Sequence, residues 1–129
     1  NFDINLSAAY TYQRAMDKTN PLGTTYNHQL AYTPRHSGSV ILTHQNKNTG
    51  GSINNFASGA YYSNSYNGKE YRMRSYSETG VSFWHNFSVK NSTIQLRAEV
   101  INLFDTRYEL VTNYPMPGRQ FRIGTNITL

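Results

Sequence analysis

His28, His36 and His44 recur at an even spacing, with His85 further on, and regularly spaced imidazoles invite a metal reading. In an extended chain that spacing carries them to successive strand ends, as interface or loop histidines, and gathers no ligand cluster. Asp105 and Glu109, in the run Asp-Thr-Arg-Tyr-Glu, could work as general acid and base. With Arg107 standing between the two carboxylates, the run reads instead as a structured loop. The chain has no cysteine, which removes disulfides, thiolate metal sites and cysteine nucleophiles. It has no phosphate-binding glycine loop, no Gly-x-Ser-x-Gly elbow and no His-Glu-x-x-His pair. These residues describe a protein that is not an enzyme, with no cofactor and no metal site.

Twelve Lys and Arg against seven Asp and Glu give a formal charge of +5, in a chain with eleven Tyr, six Phe and one Trp. Basic and aromatic together could mean nucleic acid. The basic residues are scattered, however, and the one cluster, Lys69-Glu-Tyr-Arg-Met-Arg74, carries a Glu, so nucleic acid is not an expected partner. Mean hydropathy is −0.66, and no run approaches the ~18 apolar residues of a helical membrane span. Low hydropathy does not exclude a membrane barrel, whose strands meet lipid only at every second residue.

A period of two dominates the chain. Phe2, Ile4, Leu6, Ala8, Tyr10 and Tyr12 alternate with Asp3, Asn5, Ser7, Ala9, Thr11 and Gln13. Further strands are expected over residues 37–45, 52–62, 76–89 and 93–103. In the last of these, Ile94, Leu96, Ala98 and Val100 oppose Gln95, Arg97 and Glu99. The final strand puts Phe121, Ile123, Ile127 and Leu129 on one face, with Thr125 between them, and Gln120, Arg122, Asn126 and Thr128 on the other. Arg97, Glu99 and Arg122 thus share the polar faces of adjacent strands. No helix is required. Connections alternate in length: 16–36, 63–75 and 104–118 are long, whereas 46–51 and 90–92 are short. Outer-membrane barrels have short turns on the periplasmic side and long loops outside. The expected fold class is therefore all-β, an antiparallel transmembrane β-barrel. About six strands cannot close one, since the smallest types need about eight, so the chain is expected either to belong to a larger barrel or to hold two further strands that this pattern does not reveal.

Asn102-Leu-Phe-Asp105, then Tyr108 and Glu109, then Tyr114-Pro-Met-Pro-Gly-Arg119 and a terminal alternating strand resemble the carboxyl end of TonB-dependent outer-membrane receptors. The likeness is strongest over residues 81–129. Over residues 2–62 the order of segments is similar to that of the cobalamin and siderophore receptors. The final residue departs from the pattern, Leu129 standing where the family usually has Phe.

The resemblance implies a barrel of roughly twenty-two strands around a plug. Residues 1–129 would be its carboxyl-terminal segment, with the plug and earlier strands absent. The location implied is the outer membrane of a Gram-negative bacterium. The implied function is active, TonB-energised uptake of a scarce chelate, such as a siderophore–iron complex or cobalamin. Implied partners are the TonB complex acting through the absent plug, the barrel assembly machinery, the small-molecule chelate and a surface lipoprotein. Outer-membrane lipid and lipopolysaccharide complete the set, the latter suited by the positive charge. Phe121, Ile123, Ile127 and Leu129 would form the insertion signal. Arg97, Glu99 and Arg122 would face the lumen and plug. Ligand contacts would come from the outer loops, through Tyr66, Tyr71, Arg72, Arg74, Arg107 and Tyr114. Two other readings compete: a small or passive outer-membrane barrel, porin or structural, and a soluble ligand-binding β-barrel with an apolar interior.

Overall fold

Alternation over nine or more residues, with β-branched and aromatic side chains at every second place, favours a pleated strand over a helix. The computed structural model describes residues 2–129 and is all-β. In chain order the strands are β1 (Phe2–Tyr12), β2 (His36–Asn46), β3 (Thr49–Ser58), β4 (Tyr61–Tyr62), β5 (Arg72–Met73), β6 (Tyr76–Val89), β7 (Ser92–Ile101), β8 (Glu109–Val111), β9 (Tyr114–Pro115) and β10 (Gln120–Thr128). A 3-10 turn, Lys69–Tyr71, precedes β5. Among the described residues no helix is long and apolar enough to cross a membrane.

The six long strands form one antiparallel sheet in the order β1-β2-β3-β6-β7-β10, and β4-β5 and β8-β9 make two small hairpins. β1 and β10 are the sheet's edges and are not paired with each other. Register holds the two faces apart across the whole sheet. Leu6, Leu42, Ile53, Val81, Val100 and Phe121 are successive partners in one row. One residue away, Asn5, Thr43, Ser52, Ser82, Glu99 and Arg122 are successive partners in another. Because side chains alternate between faces, the first row lies on one side and the second on the other.

The face that carries Leu6 and Phe121 is not covered within this chain. Leu6 and Phe121 stay 67% and 75% exposed. The most buried side chains, Tyr61, Gln29, Ser58 and Asn102, lie in the long connections or where the sheet meets them. The two short turns are at one end of the sheet and the three long connections at the other, so the tightest packing is at the loop end.

Strand boundaries differ from expectation at β3. Gly50 and Gly51, read as part of a turn over 46–51, lie within the strand and pair with Trp84 and Phe83. The turn shrinks to Lys47 and Asn48. The cause is across the sheet: the Trp84 ring lies on Gly50, where a Cβ would come within 2.3 Å of it. At its other end β3 stops at Ser58, and Tyr61 and Tyr62 leave the sheet to pair with Met73 and Arg72.

Candidate functional site at the loop end of the sheet

The last connection, residues 102–119, is organised by its own polar residues. Asn102 is 1% exposed and sits in the left-handed region at φ 52°, which asparagine tolerates. Its amide Nδ2 donates to the carbonyls of Thr106 (3.0 Å) and Pro117 (3.2 Å), and its Oδ1 accepts from the Thr106 N–H (2.8 Å). Asp105 accepts from the Arg119 N–H at 2.9 Å. The Asn-Leu-Phe-Asp word is thus a clamp that closes the loop on itself. Glu109 accepts from the Asn113 N–H at 3.0 Å. Arg107 does not bridge Asp105 and Glu109, as adjacency in sequence suggested: both carboxylates are taken by backbone N–H groups, and Arg107 is exposed.

The three long connections are tied together. Tyr32 N–H donates to the Tyr62 carbonyl (2.8 Å), and Asn67 exchanges hydrogen bonds with the Gln29 backbone (2.6 and 2.9 Å). Tyr61 donates to the Leu110 carbonyl at 2.9 Å, and burial pushes its phenol pKa up. Tyr108 reaches from the last connection onto the polar face of the sheet. Its ring stacks on Tyr76 (centroids 4.1 Å apart, planes 8° apart) and its hydroxyl donates to Glu78 at 2.5 Å. Burial and the Glu78 carboxylate raise the Tyr108 pKa well above that of a free tyrosine.

Between the second and third connections lies a cavity of about 570 Å³. Four of the six residues expected to touch ligand line it together: Tyr71, Arg72, Arg74 and Arg107. Tyr66 and Tyr114 do not; both project from loop tips, 64% and 71% exposed. Tyr76, Tyr108 and Met73 also line the cavity and were not expected. For Tyr108 the partners Tyr76 and Glu78 lie about thirty residues away, so no local pattern announces the contact.

Lower on the polar face, Arg97, Glu99 and Arg122 meet. Glu99 accepts from Arg97 Nε at 2.7 Å and from Arg122 at 3.3 Å. Arg97 also lies over the Trp84 ring, 5.4 Å from its centroid. Phe121, Ile123 and Ile127 line up on the apolar face of edge strand β10, and Leu129 follows it, all exposed. The histidines are dispersed. His36 pairs with Tyr10 (2.7 Å), His85 with Thr49 (2.8 Å), and His44 packs on Phe2, while His28 meets the Ser65 carbonyl. Among the described residues no group of three His, Cys, Asp or Glu side chains could hold a metal ion.

No family model matches the chain. No curated protein matches it either. Among solved structures it is similar to the ferric citrate transporter FecA in its unliganded form, at 19% identity and a TM-score of 0.83, over 97% of this chain. The chain spans about a fifth of that structure's length, 21%. What the two share is the fold.

Proposed function

We propose that this chain is the carboxyl-terminal part of the barrel of a TonB-dependent outer-membrane receptor, and that the complete protein takes up a scarce metal chelate across the outer membrane of a Gram-negative bacterium. The observation that carries the reading is the sheet itself. One row, Leu6 to Phe121, runs apolar through six partnered strands, and the neighbouring row on the other face, Asn5 to Arg122, runs polar. An uncovered apolar face is costly in water at roughly 25 cal/mol per Å², and lipid removes that cost. A polar opposite face suits a water-filled or plugged lumen. This arrangement speaks against a soluble barrel, which would turn its apolar side chains inward. The likeness in fold to a ferric citrate transporter and the Asn-Leu-Phe-Asp to terminal-strand resemblance point the same way.

On this reading the long loops face outside and their cavity forms part of the ligand vestibule. Phe121, Ile123, Ile127 and Leu129 face lipid and serve the assembly machinery as the insertion signal. Arg97, Glu99 and Arg122 face the lumen and the plug, through which the TonB complex acts. Transport is energised and not passive.

The test is uptake by cells that depend on the intact protein. Uptake of the chelate should saturate at low concentration and stop when an uncoupler collapses the inner-membrane proton gradient. Uptake linear in external concentration and indifferent to the uncoupler would mean a passive porin.

A further inference from the structure

On the face that carries Leu6, the row through Leu42, Ile53 and Val81 is bulky from strand to strand. Two rows nearer the loops the partners are Tyr10, Gly38, Ala57 and Ser77, and the small residues in line leave a furrow. It consists of two adjoining concavities, of about 510 Å³ and about 420 Å³, that share Tyr10, Gly38 and Ala57. Together they run from His36, Gly59 and Ser75 at the loop end down to Ala8, Val40 and Asn55. One wall is pinned, because the Tyr10 hydroxyl meets His36 Nδ1 at 2.7 Å. The floor stays low at Gly38, where an added Cβ would lie 3.0 Å from the Ala9 carbonyl oxygen.

A polar group closes the deep end. Asn55 Nδ2 donates to the Ser77 and Thr79 hydroxyls, both at 2.8 Å, and to the Glu78 carbonyl at 3.2 Å, while Oδ1 has no partner among the described residues. On the receptor reading Tyr10 belongs to the aromatic belt at headgroup level. Asn55 lies one row deeper, about 5 Å for tilted strands, where water supplies no donor. A polar side chain facing hydrocarbon is costly and marks a contact. The opposite end of the furrow is basic. Residues 13–35 hold Arg14, Lys18 and Arg35 against one carboxylate, Asp17, which accepts from the Thr19 and Thr25 hydroxyls at 2.7 and 2.6 Å. The Gln13 N–H bonds the Arg35 carbonyl at 2.9 Å, so Arg14 and Arg35 stand at neighbouring strand ends just beyond Tyr12 and His36. No carboxylate lines either concavity.

We propose that this furrow seats one 3-hydroxyacyl chain of a lipopolysaccharide molecule, with the chain's hydroxyl donating to Asn55 Oδ1 and the lipid's phosphates against Arg14 and Arg35. The proposal rests on the receptor reading and adds to it a lipid partner and its place on the barrel. A phospholipid chain would fit the walls but brings Asn55 no donor. The hydroxyl of a 3-hydroxyacyl chain sits just below the linkage to the headgroup, which matches the depth of Asn55 beneath Tyr10. Arginine suits the phosphates, since its planar fork of N–H donors meets paired oxygens.

The experiment strips the intact receptor of lipid in detergent and adds diphosphoryl lipid A, monophosphoryl lipid A or dipalmitoylphosphatidylglycerol; native mass spectrometry measures what is retained. Diphosphoryl lipid A should bind in preference, with affinity falling as salt rises. Asn55→Leu should weaken it about tenfold, the loss expected for one hydrogen bond, and leave phosphatidylglycerol unchanged. Arg35→Ala should weaken the diphosphoryl form more than the monophosphoryl one. Ala57→Leu, which fills the furrow, should abolish the preference, whereas Ala98→Leu adds the same bulk elsewhere on that face and should not. Equal retention of phosphatidylglycerol, or lipid A binding untouched by Ala57→Leu, would overturn the proposal. So would a receptor dimer that Ala57→Leu dissociates, since a second copy would then fill the furrow. Uptake that still stops with the uncoupler would, in each of these cases, leave the receptor reading standing. An intact protein that stays a folded monomer without detergent would bring down both.

Discussion

The sheet's two faces are built from neighbouring residues of the same six strands, yet they obey different rules. The row from Leu6 through Leu42, Ile53, Val81 and Val100 to Phe121 carries no polar atom beyond the backbone. The row from Asn5 through Thr43, Ser52, Ser82 and Glu99 to Arg122 carries hydrogen bonds from strand to strand: Ser52 to Ser82 at 2.8 Å, Arg97 to Ser82 at 3.4 Å, Arg122 to Glu99 at 3.3 Å. The Leu6–Phe121 row is specified by what it lacks, and its partner is a solvent, whereas toward the ends of the same face Asn55 bonds Thr79 and Thr49 bonds His85. The polar face is specified by what each side chain meets, and its partners are particular atoms. Substitutions on the first should therefore be judged by charge and on the second by fit.

The widest separation is expected from a charge. Leu6→Arg, in the middle of β1, should cost roughly 2–4 kcal/mol of insertion if that row lies near the bilayer midplane. Ser7→Arg, one residue on, should cost far less. Protein abundance in purified outer membranes, or urea stability after refolding into vesicles, reports the difference. Equal damage from the two would erase the distinction between faces.

Fit comes next, with two glycines of the polar face as the pair. Gly50 lies under the Trp84 ring and has no room for a methyl, while Gly124 has nothing within 4 Å of an added Cβ. Gly50→Ala should cost about 1–3 kcal/mol as overpacking, and Gly50→Ala with Trp84→Leu should recover most of it. Gly124→Ala should be neutral or slightly stabilising, since glycine weakens a strand interior. Unfolding in denaturant measures both. A neutral Gly50→Ala would mean that the polar face is not packed there at all.

The faces were legible in the sequence because period two is a local property, visible in Phe2 to Tyr12 without any partner. The alternation of long and short connections was legible for the same reason. The start of β3 was not: Gly50-Gly51 reads as a turn until Trp84, far along the chain, is laid over it. The grouping at the loop end was half legible: Tyr71, Arg72, Arg74 and Arg107 occupy long connections, and the structure brings those four together around one cavity. Tyr108 was missed because its stack on Tyr76 and its bond to Glu78 are tertiary, and Tyr66 and Tyr114 were placed only by lying in outer loops, which does not tell a loop tip from a loop wall. The Asn102 clamp lay in a word that was read for its resemblance; its physical role needed the left-handed backbone to appear.

Tyr108 also joins the loop end to the polar face, and its removal should have a middling effect. Tyr108→Phe keeps the stack and loses the bond to Glu78, for about 1 kcal/mol. The readout is faster hydrogen exchange and proteolysis of residues 102–119, with the strands unaffected. The phenol pKa is raised in the folded loop by burial and by Glu78. Its contribution is therefore full below the free-tyrosine pKa of about 10 and is lost as pH rises beyond it. In an absorbance titration Tyr108 should ionise after the exposed tyrosines, and the late part of the curve, which Tyr61 and Tyr76 share, should lose one tyrosine in Tyr108→Phe. An unchanged titration would detach the loop from the sheet.

The smallest effect is expected where the charges are most conspicuous. Glu99 is the common acceptor for Arg97 and Arg122, with side chains 19%, 46% and 66% exposed. Water screens pairs of this kind, so Glu99→Gln should cost less than about 1 kcal/mol. The guanidinium of Arg97 keeps its contact with Trp84, which limits the loss further. The value becomes informative in the intact protein, where a plug would cover this face. Breaking an ion pair sealed from water costs about 3–5 kcal/mol, because a charge is left buried without its partner. A cost below 1 kcal/mol there means that water reaches the trio even when the barrel is complete, and that the polar face is a wet wall. A cost several times larger would remove the wet face from the comparison, leaving two covered faces, one against lipid and one against protein. Arg122→Gln in the Glu99→Gln background separates the cases: in a wet lumen the second change adds nothing, whereas under a cover it restores stability by removing the orphaned charge.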